Sequence, residues 1–117
     1  MFHISVIGYK PRNLSARVTA KFQTSKLLRI ARTAPGCLRA YSFRKNDITY
    51  ACIVWENKPS LRFFESTELF RCHVDEMDAL STSCSAYNFV SEILPAQRWV
   101  HEMWGAARYA LGSTRAA

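Results

Sequence analysis

The chain has 117 residues, 49% of them hydrophobic and 21% charged, so it is long enough for one globular domain and too apolar to be disordered. No apolar run reaches the roughly 18 residues of a membrane helix. Four cysteines without CxxC spacing provide neither a zinc motif nor a redox motif, and no metal site is predicted. The N-terminus lacks the basic and apolar regions of a secretory leader, which predicts a cytoplasmic protein.

The positive charge is concentrated in the first part of the chain. Residues 1–46 contain ten Lys or Arg and no acid, whereas residues 47–117 contain six basic and nine acidic residues, for a formal net charge of +7. A basic half favours an anionic partner, which could be a carboxylated ligand, a phosphate or nucleic acid. The alternative is a basic helix face that is simply solvated.

The first half of the chain predicts three strands and one helix. Two segments rich in β-forming residues, Phe2–Tyr9 and Ile48–Trp55, are predicted to be strands. Both have apolar side chains at odd and even positions, which predicts burial on both faces. Between them, residues 14–32 predict a helix with Asn13 or Ser15 as N-cap, ended by Ala34-Pro35-Gly36. A further strand, Cys37–Phe43, leads into a short polar hairpin loop.

The second half predicts a helical region, a strand and a final helix. Asn57 is suited to cap the helical region, and Ser66-Thr67 provides a second cap within it. Residues 81–84 are predicted to form a loop and residues 85–93 the fourth strand. Residues 96–111 predict a C-terminal helix, followed by a frayed tail over 112–117.

This order of elements predicts an α+β fold. β-α-β-β-α-β with an extra C-terminal helix is the ferredoxin-like arrangement, with a four-stranded antiparallel sheet in a single domain over residues 1–111. The two helices cover one face of such a sheet. Because the strands are apolar on the other face too, we expect a second copy to cover it, which predicts a homodimer.

Residues 54–73 carry a family resemblance. They contain a strand that ends in Trp55, a short turn, a helix with the paired aromatics Phe63 and Phe64, and then His73. This pattern resembles the antibiotic-biosynthesis-monooxygenase-like (ABM) family of dimeric α/β barrels, which includes haem-degrading members. Residues 2–99 are more loosely similar to the spheroidene monooxygenase group. The resemblance implies an apolar pocket for flat, oxidisable ligands, and oxygen chemistry in which the substrate itself is the reductant.

The helical stripe at i, i+3, i+4 and i+7 formed by Phe70, His73, Val74 and Met77 supplies the catalytic candidate. His73 could act as a base or orient a ligand, and the alternative is a buried neutral histidine. The remaining candidates for ligand binding, of which the first two are expected mainly to pack in the core, are Trp55, Phe64, Phe70, Met77, Tyr87, Asn88 and Trp99. If Asn88 is buried, it needs a hydrogen-bond partner, either a ligand carbonyl or a backbone group.

Together these features predict a cofactor-independent monooxygenase-like protein that binds a small aromatic or polyketide-like molecule. The ligand is expected to be apolar, and an anionic group on it would suit the basic half of the chain. Whether it is an enzyme stays open at this point. One alternative is a ligand-binding barrel without catalysis. Another is a haem-binding or haem-degrading variant, although the helical tryptophan of those members corresponds here to Phe64. RNA binding is not expected, because Ile48–Trp55 lacks the RNA-recognition strand motif.

Overall fold

The computed structural model describes residues 1–92, which form a four-stranded antiparallel sheet and three helices. The elements in chain order are β1 (Phe2–Pro11), α1 (Leu14–Arg32), β2 (Cys37–Lys45), β3 (Ile48–Trp55), α2 (Lys58–Glu65), α3 (Glu68–Leu80) and β4 (Ser81–Ser91). The predicted C-terminal helix and Trp99 lie outside the described residues. The α+β prediction is confirmed, with the second helical region divided into α2 and α3.

The strands lie in the order β2-β3-β1-β4, so β1 and β3 are central. These are the two strands predicted to be buried on both faces. The register places Ile7 opposite Ala51 of β3 and Ala86 of β4. Side chains alternate between the faces, so one residue in two of each strand faces the helices.

Side-chain caps determine where the helices begin. The side chain of Asn13 accepts a hydrogen bond from the backbone N–H of Ala16 at 2.8 Å, so Asn13 is the cap of α1. In the same way, Asn57 accepts from the N–H of Ser60 at 2.9 Å and begins α2. Thr67 then caps α3, which is why the helical region breaks between Glu65 and Glu68.

Gly36 connects α1 to β2 in a left-handed backbone conformation, with φ of +86°. A Cβ atom at this position would lie 2.7 Å from the Cβ of Ser60 in the first turn of α2. The carbonyl of Gly36 accepts a hydrogen bond from the N–H of Glu56 at 2.9 Å. Only glycine meets both the backbone and the space requirement here.

All three described helices pack on one face of the sheet. Their apolar residues meet Ile7, Ile53 and Trp55 in the larger core. The opposite face has its own apolar cluster, whose central residues are 0–1% exposed in the single chain: Ile4, Val6, Tyr50, Cys52 and Val54. Within residues 1–92, this second cluster is made of strand residues alone.

The start of β4 differs from the prediction. Residues 81–84 were expected to form a loop because they are polar, but they continue the strand, with Cys84 opposite Tyr9 and Ser83 opposite Lys10. Backbone pairing at a sheet edge does not require apolar side chains. β1 likewise extends to Pro11 through an irregularity in the register. No helix within residues 1–92 is long and apolar enough to cross a membrane.

Candidate functional site

His73 lies on α3, where only 5% of its surface is exposed. Its Nε2 atom has no hydrogen-bond partner among residues 1–92. Burial lowers the pKa of the imidazole to about 4, so the ring is neutral at pH 7. It lines a groove of about 80 Å³ between α1 and α3, together with Gln23, Lys26, Leu27, Leu69, Cys72 and Glu76.

We expect His73 to make the protein less stable in acid. The pKa of His73 in the folded protein is about 4, below the ordinary 6.5. The contribution of the neutral ring to the free energy of unfolding, on the order of 3 kcal/mol, is therefore fully present above pH 6.5 and is lost as the pH falls through 4. Urea unfolding between pH 7 and pH 4 should show the loss, and the loss should shrink in His73→Gln. An imidazole NMR titration with a midpoint near 6.5 would contradict this prediction.

The predicted ligand-binding residues lie in different parts of the fold. Trp55, Phe64, Phe70 and Met77 are in the helix-side core, where the ring centroids of Trp55 and Phe64 are 5.2 Å apart. Tyr87 lies on the opposite face of the sheet with its ring stacked on Phe89, so the structure does not bring it together with the other candidates. Adjacent strand residues point to opposite faces, so Tyr87 and its neighbour in β4 cannot line one cavity.

Asn88 lies on the helix side of β4 and contacts a residue that was not among the candidates. Its Nδ2 donates a hydrogen bond to Oε1 of Glu65 at 3.2 Å, and Oγ of Ser5 donates to the other carboxylate oxygen, Oε2, at 2.8 Å. Asn88 is exposed, so the expectation that held for a buried Asn88 does not apply, and its partner is a carboxylate. Ser5, Glu65 and Asn88 are called the Glu65 cluster below.

The Glu65 cluster joins three elements. Ser5 of β1 pairs with Asn88 of β4 in the sheet, and Glu65 reaches both from the last residue of α2. Partial burial raises the pKa of the Glu65 carboxyl, and the hydrogen bonds from Ser5 and Asn88 oppose that rise. A positioned carboxylate with a raised pKa can accept a proton from a weakly acidic ligand.

The sequence contained a partial signal for this cluster. Ser5 is a polar residue in the central strand β1 and is only 1% exposed, whereas Asn88 is exposed on the edge strand β4. A buried hydroxyl such as that of Ser5 suggests a polar partner. The identity of that partner depends on tertiary structure, since Glu65 is 60 residues from Ser5 in the chain. No group of three or more potential metal ligands occurs in the part of the chain that the structure describes.

Among the comparisons with known proteins, only the one with solved structures found similar proteins. No family model matches the sequence, and no curated protein matches it either. SnoaB of Streptomyces nogalater, a cofactor-independent oxygenase solved as a point mutant, superposes with a TM-score of 0.65 at 19% identity, over 81% of this chain and 98% of its own. Rv0793 of Mycobacterium tuberculosis superposes with a TM-score of 0.69 at 10% identity, over 82% of this chain and 100% of its own.

A third structure carries the family's name. An antibiotic biosynthesis monooxygenase superposes with a TM-score of 0.65 at 16% identity, over 81% of this chain and 100% of its own. At such identities the likeness concerns the fold alone, and it agrees with the antiparallel sheet and helix order found here. The chain therefore has the ferredoxin-like fold of the antibiotic biosynthesis monooxygenases.

Proposed function

We propose that the chain is a cofactor-independent monooxygenase-like enzyme that acts on an aromatic or polyketide-like small molecule. The observation that carries this proposal is the Glu65 carboxylate, which Ser5 and Asn88 hold in a partly buried position. The neighbouring residue, Phe64, packs in the aromatic core against Trp55. A proton acceptor beside aromatic side chains suits a flat, weakly acidic substrate.

The proposed reaction begins with proton transfer from a substrate CH₂ group, or from a phenol that activates it, to Glu65. The resulting anion donates electrons to O₂, so the substrate is oxidised and oxygen is reduced. One oxygen atom forms the new C=O group, and the other leaves as water with the two hydrogens of the CH₂ group. The raised pKa of Glu65 narrows the gap to the pKa of the substrate, which favours the first step.

His73 is not proposed as the base, and its burial supports the alternative of a neutral core histidine. Since the pKa of its imidazole is about 4, it is a weak proton acceptor at neutral pH. Its groove of about 80 Å³ is also too small for a porphyrin, because even drug-sized ligands fill pockets of roughly 300–1,000 Å³. The groove beside His73 therefore does not fit the haem variant.

We also propose that the chain forms a homodimer through the second sheet face. The centre of that face is already buried in the single chain, so the partner would contact its partly buried rim, which includes Phe2, Tyr41, Phe43, Tyr87 and Phe89. Aromatic residues of this kind are enriched in interfaces. Native mass spectrometry should give twice the 13.4 kDa of the chain, and a monomer mass at micromolar concentration would remove the proposal.

Oxygen uptake tests the catalytic proposal. The purified protein, with a chelator and without flavin or nicotinamide, should consume O₂ with one member of a panel of polycyclic phenols and quinols. With ¹⁸O₂, the product should carry one labelled atom. Heat-denatured protein is the control for spontaneous oxidation. Saturable binding of a panel member without oxygen uptake would favour the non-catalytic ligand-binding barrel instead.

A further inference from the structure

A cavity of about 220 Å³ lies between α1 and the β2–β3 hairpin. It is separate from the Glu65 cluster: on β1, it contacts Tyr9, whereas the cluster uses Ser5, roughly 13 Å away along the strand. Two rows of polar side chains face each other across this cavity. They are Arg44, Thr49 and Tyr9 from the sheet, and Arg17, Lys21 and Thr24 from the helix.

The sheet row follows from strand register. Arg44 of β2 pairs with Thr49 of β3, and Thr49 pairs with Tyr9 of β1. Residues paired side by side point to the same face, and Tyr9 belongs to the helix-side core. The row therefore places one guanidinium and two hydroxyl groups in line across three neighbouring strands.

The helix row follows from helical spacing. Arg17, Lys21 and Thr24 stand at i, i+4 and i+7, which places them on one face of α1. Arg17 lies near the start of the helix, where a positive charge opposes the helix dipole. Helix stability therefore does not account for a cation there.

The floor of the cavity contains buried hydroxyl groups. Tyr9 is 1% exposed and Thr24 is 3% exposed, and their oxygen atoms are 2.7 Å apart. Since either oxygen can be the donor, that bond uses only one of the two hydroxyl protons. Beyond this bond, the Thr24 hydroxyl donates to the sulfur of Met77 at 3.9 Å, a weak acceptor, and Tyr9 also has a hydrogen bond with Thr49. Burial raises the pKa of Tyr9, so its hydroxyl stays protonated at neutral pH.

The charge around the cavity is strongly positive. Among its lining residues are three cations and no acid. Arg44 pairs with Asp47 at 2.9 Å, but both side chains are exposed, so the pair contributes little and a ligand can compete for it. Neither Arg17 nor Lys21 has a salt bridge within residues 1–92. An adjacent cavity shares Arg17 and Arg44 and adds Lys10 and Asp47.

We infer that this cavity binds the oxyanion group, carboxylate or phosphate, of a small organic ligand. Arg17, Lys21 and Arg44 supply the positive charge, and the linked hydroxyl groups of Tyr9, Thr24 and Thr49 form a polar floor. Guanidinium and ammonium groups that converge on one oxyanion form charge-assisted hydrogen bonds, which are stronger than neutral ones. The site goes beyond the proposed oxygenase reaction, because it involves none of the Glu65 cluster.

The test is titration of the full chain with phenyl phosphate and with benzoate at low salt, followed by NMR of the backbone amides. The largest shifts should fall on residues 17–24 and on the strand residues around Tyr9, Arg44 and Thr49. Phenol, which lacks the charge, should cause no saturable shift. The tighter of the two anions identifies whether the natural group is a phosphate or a carboxylate.

A charge-matched pair of variants separates a built site from general attraction. R17Q/K21Q should weaken binding at least about tenfold, the loss expected for a charged hydrogen bond. R29Q/R62Q removes the same charge from exposed helical positions outside the cavity and should change the dissociation constant less than about twofold. Equal weakening in both variants, shifts elsewhere, or no saturation at about 10 mM would overturn the inference.

Discussion

Glu65→Gln should lower the rate of substrate-dependent oxygen uptake by about 10²- to 10⁴-fold, the usual contribution of a general base. Glutamine keeps the shape of the side chain and an oxygen that can accept from Ser5 or Asn88, but it cannot accept a proton from the substrate. The wild-type rate should also fall in acid as Glu65 becomes protonated, and this acid limb should disappear in the variant. Steady-state rates between pH 4 and pH 9 measure both effects.

Loss of folding is a poor explanation for such a result. Because folding raises the pKa of Glu65, the folded protein disfavours the ionised carboxylate. The contribution of Glu65 to the free energy of unfolding is therefore present in acid and is lost as the pH rises through that pKa. Removing this disfavoured charge opposes the loss of one of the two hydrogen bonds, so Glu65→Gln should stay folded at pH 7. Glu56→Gln, which removes an exposed carboxylate just before α2, is the matched control and should keep full activity. A folded Glu65→Gln protein with wild-type rates would exclude Glu65 as the base.

Phe64→Ala should reduce the free energy of unfolding by about 3–5 kcal/mol. Phe64 is 4% exposed, and its ring lies 5.2 Å from that of Trp55 and 5.8 Å from that of Phe70. Small domains are stable by only about 5–15 kcal/mol, so this variant should be close to unfolding at room temperature. Urea denaturation monitored by circular dichroism gives the difference.

The adjacent residue provides the control for Phe64. Phe63 has the same chemistry on the same helix but is 72% exposed, so Phe63→Ala should change stability by no more than about 0.5 kcal/mol. A small cost for Phe64→Ala, combined with loss of ligand binding, would instead support its sequence-based prediction as a ligand residue. Comparable losses in both variants would mean that Phe63 is covered in solution, for example by a partner.

Much of the fold could be predicted because local patterns agree with it. The apolar residues at both parities in β1 and β3 indicated the two central strands, and Asn57 and Thr67 marked where α2 and α3 begin. These signals depend on short-range periodicity and capping, which the sequence carries directly. The beginning of β4 was wrong because residues 81–84 are polar, and an edge strand can be held by backbone pairing alone.

The candidate site was harder to predict for a physical reason. Helical periodicity selects apolar positions, so it selected His73 and passed over Glu65, whose role depends on contacts with two distant strands. Strand alternation could have assigned Tyr87 and Asn88 to opposite faces of the sheet, because adjacent strand residues cannot share a face. The cavity beside α1 depends on strand register as well as helical spacing, and the sequence shows only the excess of basic residues there.

The close approach of Gly36 to Ser60 also constrains how sequences with this structure can diverge. A side chain at position 36 would have to adopt a left-handed backbone conformation and would also collide with the side chain of Ser60, so we expect exchange of Gly36 to be selected against. An alignment of close homologues would then show glycine at 36 wherever position 60 keeps a side chain. Glycine at position 36 together with a side chain at position 60 would identify sequences that share this contact between the loop and the helix.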